Sequence, residues 1–500
     1  MTRLPAACER IVGRGLVALV AFTPLAFGTV EPWAIALMEW GVVTLCLLMG
    51  LGRLWPARGA ATEHAPFATG LEWPLGLFVF FCVLQTVPLP ARWLSAVSPG
   101  SASLYGAVEQ SLLGQQSKME SALARSDGPA ALALARQPRP VSVHPRTTLD
   151  RLRLLGVLIA VFYLVSAWAR DEERIVHLFG AVTIMGFIVA IEGLVQYLTW
   201  NGKIYWFRKI PSTGAFGPFV NHNHFAGYAE MVIPVAIGMA LYLAAGERAD
   251  MGSGADGRWG KGALCLFAAV ILVASLFLSL SRGGIASALL SGAFLMLLLW
   301  KRIPSRPQRW ALAFFLPVLA AGFVLWIGAD VVRQQLATVR SPESEPSFQL
   351  RARVWGALVR NISPYLWVGS GLGTFEDSFA PFTPPISTKR WDRAHNDYLQ
   401  ALWETGLVGA ALILAGVGRF VTRFWWPSLQ VRGHPLDFFR LAVGAALLSM
   451  ALHSIVDFNL QIGSNGFLFA LLAGLLVALQ RMTGVERSDR PVLVRTSAEP

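Results

Sequence analysis

The chain has 500 residues, 54% of them hydrophobic and 14% charged, with a net charge of +12 and a mean hydropathy of +0.52. Soluble domains carry roughly 45–50% apolar and about 25% charged residues, so these values exclude a soluble enzyme or binding module. The basic residues lie mainly in short gaps between apolar blocks, where membrane topology accounts for them and nucleic acid is not implied as a partner.

The apolar residues fall in blocks of roughly 18–22, the length of a helix that crosses a bilayer, and the ten-residue alternation of a membrane barrel is absent. The predicted fold is all-α, a polytopic membrane protein of about 12 transmembrane helices. Spans are expected near 11–30, 33–52, 72–90, 152–169, 175–199, 224–245, 262–281, 283–300, 310–329, 397–418, 438–456 and 465–482. Arg3, Arg10 and Arg14 before the first block resemble a signal peptide. No small-residue cleavage site ends that block, so an uncleaved first helix is expected. The short loops on the N-terminal side carry fifteen Lys and Arg against four on the other side, which predicts cytoplasmic termini. The expected division is 1–330 for the first nine spans with an outward loop at 91–151, then 331–396 as a large outward loop. The last three spans follow at 397–482, and 483–500 is a polar, disordered cytoplasmic tail.

The loop at 91–151 is rich in Ala, Ser and Gln, and its Pro138, Pro140 and Pro145 mark a return to the membrane. The loop at 331–396 is too aromatic for a disordered tail and is expected to hold a helix at 348–361 and a tight turn at Gly369, Gly371 and Gly373. Cys8, Cys46, Cys82 and Cys265 make no CxxC pair and read as small apolar side chains.

Four polar clusters share the outward face under this topology. "GPFVNHNHFAGYAEM" places Asn221, His222, Asn223 and His224 at the mouth of the sixth span. "SLSRGG" places Arg282 at a junction of two spans, where an arginine costs about 2.5–3.5 kcal/mol unless it snorkels or meets an anion. The small residues crowding that junction favour a bound phosphate over snorkelling. "QLRARVWGALV" supplies Arg351 and Arg353, which point about 200° apart on a helix, with Trp355 on the Arg351 face for a cation–π contact. "WDRAHNDYLQALWETG" supplies Arg393, His395, Asn396 and Asp397; histidine titrates near neutral pH and suits a general base, with Asn396 and Asp397 to orient the ring. His222 and His224 would make a poor metal pair, and neither a metal site nor a cofactor is expected.

In order and spacing from about 215 to 420, these motifs resemble the bacterial O-antigen ligase and polymerase family, integral membrane glycosyltransferases of the GT-C type. The resemblance implies transfer of a glycan from an undecaprenyl pyrophosphate carrier to an acceptor hydroxyl at the periplasmic face of the inner membrane, without metal. It implies pyrophosphate-binding roles for Arg282 and Arg351 and a catalytic base at His395. Arg353, Asn221, Asn223, His224, Asn396, Asp397 and Asp457 are candidate supporting residues. Implied partners are the lipid-linked donor, membrane lipids, and an acceptor that is lipid A core, growing glycan or protein. A transporter or flippase remains the alternative, although it calls for ionisable groups near mid-span, where Glu192 is one of few.

Overall fold

A computed structural model of the chain describes residues 3–54, 68–123, 137–210, 214–247, 255–300, 346–384, 391–430 and 433–483, with scattered positions between 302 and 318. The expected span at 310–329, the start of the large loop and the tail after 483 lie mostly or wholly outside the described residues.

The helices are α1 (Arg3–Leu25), α2 (Pro32–Leu54), α3 (Glu72–Leu84), α4 (Ala91–Val97), α5 (Pro99–Leu123), α6 (Pro145–Trp168), α7 (Glu172–Leu198) and α8 (His222–Glu247). They continue with α9 (Ala255–Leu278), α10 (Arg282–Trp300), α11 (Pro346–Arg360), α12 (Phe375–Phe379), α13 (Asp397–Phe420), α14 (Asp437–His453) and α15 (Gly463–Met482). A two-stranded hairpin, Lys203–Ile204 with Arg208–Lys209, is the sheet found among the described residues. Eight helices among the described residues are long and apolar enough to span a membrane. The chain is an all-α polytopic membrane protein.

Local chemistry sets the helix ends. Pro145 opens α6 several residues before the expected start, where its missing N–H costs nothing. Asp171 accepts the Arg174 N–H at 2.9 Å to cap α7, with Glu172 and Glu173 in the first turn. The loop at 91–151 is more ordered than its composition suggested, since α4 and α5 occupy its first half.

The helix α15 is buried along nearly its whole length, and α8 packs between α9 and α14. At the rim, α2 exposes Trp40 and Leu47, α10 Leu290 and Leu297, and α13 Leu414. Apolar faces of this extent belong against lipid. At the end of the bundle remote from the clusters above, Arg440 is fully buried in the first turn of α14. It donates to Asp437 Oδ1 at 2.6 Å and to the carbonyls of Pro427 and Gln430, so it is a clamp rather than a loop residue.

The large loop is stitched to α13. At Gly406 (φ 63°, ψ −167°) the helix breaks, and a β-carbon there would stand 2.5 Å from the Trp367 carbonyl. The freed groups pair with the glycine-rich turn. Leu407 and Val408 donate to Leu366 and Trp367, while Trp403 and Glu404 carbonyls accept from Ser370 and Gly371. Gln85, which ends α3, adds bonds to the Val368 and Glu404 carbonyls at 2.7 and 3.0 Å. Beneath this seam Val354, Leu358, Tyr365, Phe375, Phe379 and Trp403 form a separate apolar core. The loop is a folded cap that shares Trp403 with a membrane helix.

Candidate active site

The starts of α8 and α10, the ends of α7 and α9, the helix α11 and the α14–α15 turn surround one cavity of about 1700 Å³. Drug-sized pockets run to roughly 300–1,000 Å³, so this one suits an extended ligand. Phe277, Leu278, Ile285 and Leu289 give it an apolar wall, and Arg282, Arg351, Asn221, Asn223 and His224 a polar one.

Arg282 is the first residue of α10. It follows Leu280, which takes φ +61°, a conformation costing a non-glycine residue about 1–3 kcal/mol. Arg351 reaches the same cavity from α11, and its Nη1 donates to the Val456 carbonyl at 2.7 Å. The expected cation–π contact with Trp355 is not formed. The indole instead donates to the Ala394 carbonyl at 2.8 Å and so fixes the backbone next to His395. Arg353 faces solvent and does not line the cavity.

His395 takes φ +49°, another strained backbone at the site. Its Nδ1 lies 3.2 Å from Asp457 Oδ1, and its ring meets Phe458 and Trp391 edge-on at 4.9 and 5.8 Å. The imidazole does not itself line the cavity; Phe458 does. With Nδ1 engaged, Nε2 is the nitrogen left to exchange a proton.

Asp457 is fully buried in the α14–α15 turn. Its Oδ1 also accepts the Phe458 N–H at 2.9 Å, and its Oδ2 pairs with Arg351 Nη2 at 3.6 Å. Burial alone would raise its pKa, but the His395 hydrogen bond and the Arg351 charge hold the carboxyl well below the usual range. It is ionised.

Asn396 and Asp397, expected to orient the imidazole, are engaged elsewhere. Asn396 Oδ1 accepts the Leu399 N–H at 2.9 Å as the cap of α13. The Asp397 carboxylate accepts from Gln461 Nε2 at 2.9 Å and Leu460 N at 3.3 Å, which ties the start of α13 to the turn carrying Asp457. Asn221 Oδ1 accepts the Asn223 N–H at 2.9 Å and opens α8. His224 is buried edge-on against Phe458 at 4.9 Å, and its Nε2 has no hydrogen-bond partner. Sequence reasoning missed Arg151, which lines the cavity from α6; an arginine in the first turns of a span carries no distinguishing signal.

The structure thus brings Arg282 and Arg351 to one cavity and joins Arg351 to His395 through a single carboxylate. Among the described residues no group of three or more His, Cys, Asp or Glu is placed to hold a metal ion. The site thus sets fixed cations and a histidine–carboxylate pair side by side at one end of a membrane helix bundle. Residues 267–414 match the O-antigen ligase family, which supports an O-antigen ligase-type membrane glycosyltransferase at family level. The match takes in Arg282, Arg351 and His395 and ends before Asp457. No curated protein matches the chain.

Proposed function

We propose that the chain transfers a glycan from an undecaprenyl pyrophosphate carrier to an acceptor hydroxyl on the periplasmic face. The acceptor is lipid A core or a growing glycan. The observation that carries this reading is the Asp457 carboxylate, with His395 Nδ1 on one oxygen and Arg351 on the other. Arg282 and Arg351 hold the diphosphate by charge-assisted hydrogen bonds and stabilise the negative charge that grows as it leaves. His395 Nε2 takes the acceptor proton, the acceptor oxygen bonds to the anomeric carbon, and the bond from that carbon to the phosphate oxygen breaks. Its electron pair departs on undecaprenyl pyrophosphate. Phe458 stands between cavity and imidazole, so its ring must move aside when the acceptor hydroxyl is delivered.

Purified protein given lipid-linked glycan and either acceptor, with product followed by gel shift, tests the reading. Failure to transfer to either lipid A core or glycan would overturn it. In the same assay Arg282→Lys should lose activity by about 10²-fold, because lysine keeps the charge but not the planar fork that grips two phosphate oxygens. EDTA should leave the rate unchanged; loss in EDTA with recovery in Mg²⁺ would assign the diphosphate to a metal.

The charge bias of the short loops supports cytoplasmic termini and a periplasmic cavity. A reporter inserted in the 331–396 loop should be active only as a periplasmic fusion, and one placed after residue 483 only as a cytoplasmic one. Both reporters active on the same side would reverse this orientation.

A further inference from the structure

Arg151 and Arg393 line the same cavity as Arg282 and Arg351 but belong to different elements, α6 and the segment before α13. The stem of Arg151 rests on Gly373, where a β-carbon would stand 2.4 Å from its Cγ. A glycine with φ +80° in the cap's turn therefore leaves room for the stem of this arginine. The Gly373 N–H donates to Glu404 Oε2 at 2.6 Å, and the other Glu404 oxygen accepts from Phe375 N and Gln400 Nε2. That carboxylate is thus committed to the cap.

Among the described residues Arg151 makes no hydrogen bond and has no carboxylate within ion-pair distance. Arg393 is a neighbouring like charge, and Glu404, Asp150 and Asp392 act on Arg151 with the opposite sign. Arg393 donates Nη1 to the Asp392 carbonyl at 2.6 Å, yet its Nε is buried with no partner. Its guanidinium stands 5.9 Å over the Phe458 ring, whose edge meets His395. Two like charges share this partly dry wall, one with no carboxylate at ion-pair distance and one with a buried N–H that has no partner, and such groups are costly to bury. An anion between them removes that cost.

We propose that Arg151 and Arg393 form a second anion site in the cavity, distinct from the Arg282–Arg351 pair, which holds a phosphate or carboxylate substituent of a sugar next to the bond being made. Planar guanidinium groups grip such oxygens in pairs. The substituent belongs either to the donor glycan or to the acceptor. Its place in glycan transfer rests on the function proposed above; anion binding itself does not.

Binding is tested on the full chain in detergent by equilibrium dialysis against radiolabelled inorganic phosphate. Arg282→Ala should still bind phosphate, and adding Arg151→Ala should remove what is left. If Arg282→Ala alone abolishes binding, the second site is overturned, whether or not the protein transfers glycan. Without phosphate, Arg151→Met should melt at or above the wild-type temperature, since it exchanges an unpaired buried charge for an apolar chain. A lower melting temperature would make Arg151 a structural residue and overturn the proposal. In the transfer assay Arg151→Met should raise KM for one substrate by about tenfold, with kcat nearly unchanged. A rise against varied acceptor places the anion on the acceptor, and a rise against varied donor places it on the donor glycan. A fall in kcat with both KM values unchanged would overturn the site.

Discussion

His395→Ala should slow glycan transfer by about 10²–10⁴-fold, the usual cost of losing a general base, while the protein still binds its lipid-linked donor. The separation of effects follows from position. Arg282 and Arg351 line the cavity and His395 does not, so removing the imidazole leaves the cationic wall in place. The ring is held by Asp457 on one side and by Phe458 and Trp391 on its edges, and it carries none of the cap's core. Alanine at this position keeps φ +49° without the compensating contacts, so a glycine variant serves as the better-folded control. Single-turnover transfer with the donor pre-bound reads the chemical step directly. Wild-type rates in both variants would remove His395 from the mechanism.

Asp457→Asn should be nearly as damaging, and it adds a signature of its own. The carboxylate is the shared acceptor for His395 Nδ1, the Phe458 N–H and Arg351. An amide of the same shape loses the charge that fixes the imidazole's proton on Nδ1 and leaves the Arg351 guanidinium without its counter-charge. Transfer should fall by about 10²-fold or more. Removing one partner of a buried ion pair also costs on the order of 3 kcal/mol of stability. Because the folded protein holds the Asp457 carboxyl well below its ordinary pKa, its stabilisation is complete above that ordinary value, about 4. It is lost as the pH falls through the lowered folded value. Thermal unfolding of wild type and Asp457→Asn should therefore differ most at neutral pH, with the gap closing in acid. A gap that stays constant down to pH 3 would mean that the carboxylate's charge is not what matters.

Much of the fold is legible in the sequence because a bilayer imposes one length and one polarity on every span. The blocks at 175–199, 283–300 and 465–482 are matched within a few residues by α7, α10 and α15. What hydropathy cannot register is helix outside that regime. The helices α4 and α5 are polar, short or weakly amphipathic, and their order comes from packing on the cap, as where Ser98 Oγ donates to the Gly369 carbonyl at 3.1 Å. The break in α13 is also invisible, since hydropathy reads the stretch around Gly406 as one span and its conformation is set by the turn of the cap that pairs with it.

For the site, chain adjacency proved a poor guide. Asn396 and Asp397 follow His395 directly, but a helix begins there, and its first amides and the next turn claim both side chains. The histidine's partner is Asp457, which only the meeting of α13 with the α14–α15 turn brings near. Helical phase sets Arg351 and Arg353 on different faces and the resemblance picks Arg351, whereas Arg151 carries no sequence signal and lines the cavity with its stem against Gly373.

The seam between cap and α13 has an evolutionary consequence. Its four bonds between 366–371 and 403–408 run from main chain to main chain, and peptide groups are the same whatever residues carry them. Apart from Trp403 and Glu404, whose side chains pack in the cap's core or cap its turn, side chains along the seam can drift without breaking these bonds. Two positions escape that freedom: a β-carbon at Gly369 would lie 2.2 Å from the Glu404 carbonyl oxygen, and one at Gly406 would lie 2.5 Å from Trp367. These two glycines should be the fixed points around which the rest of the cap can be rewritten.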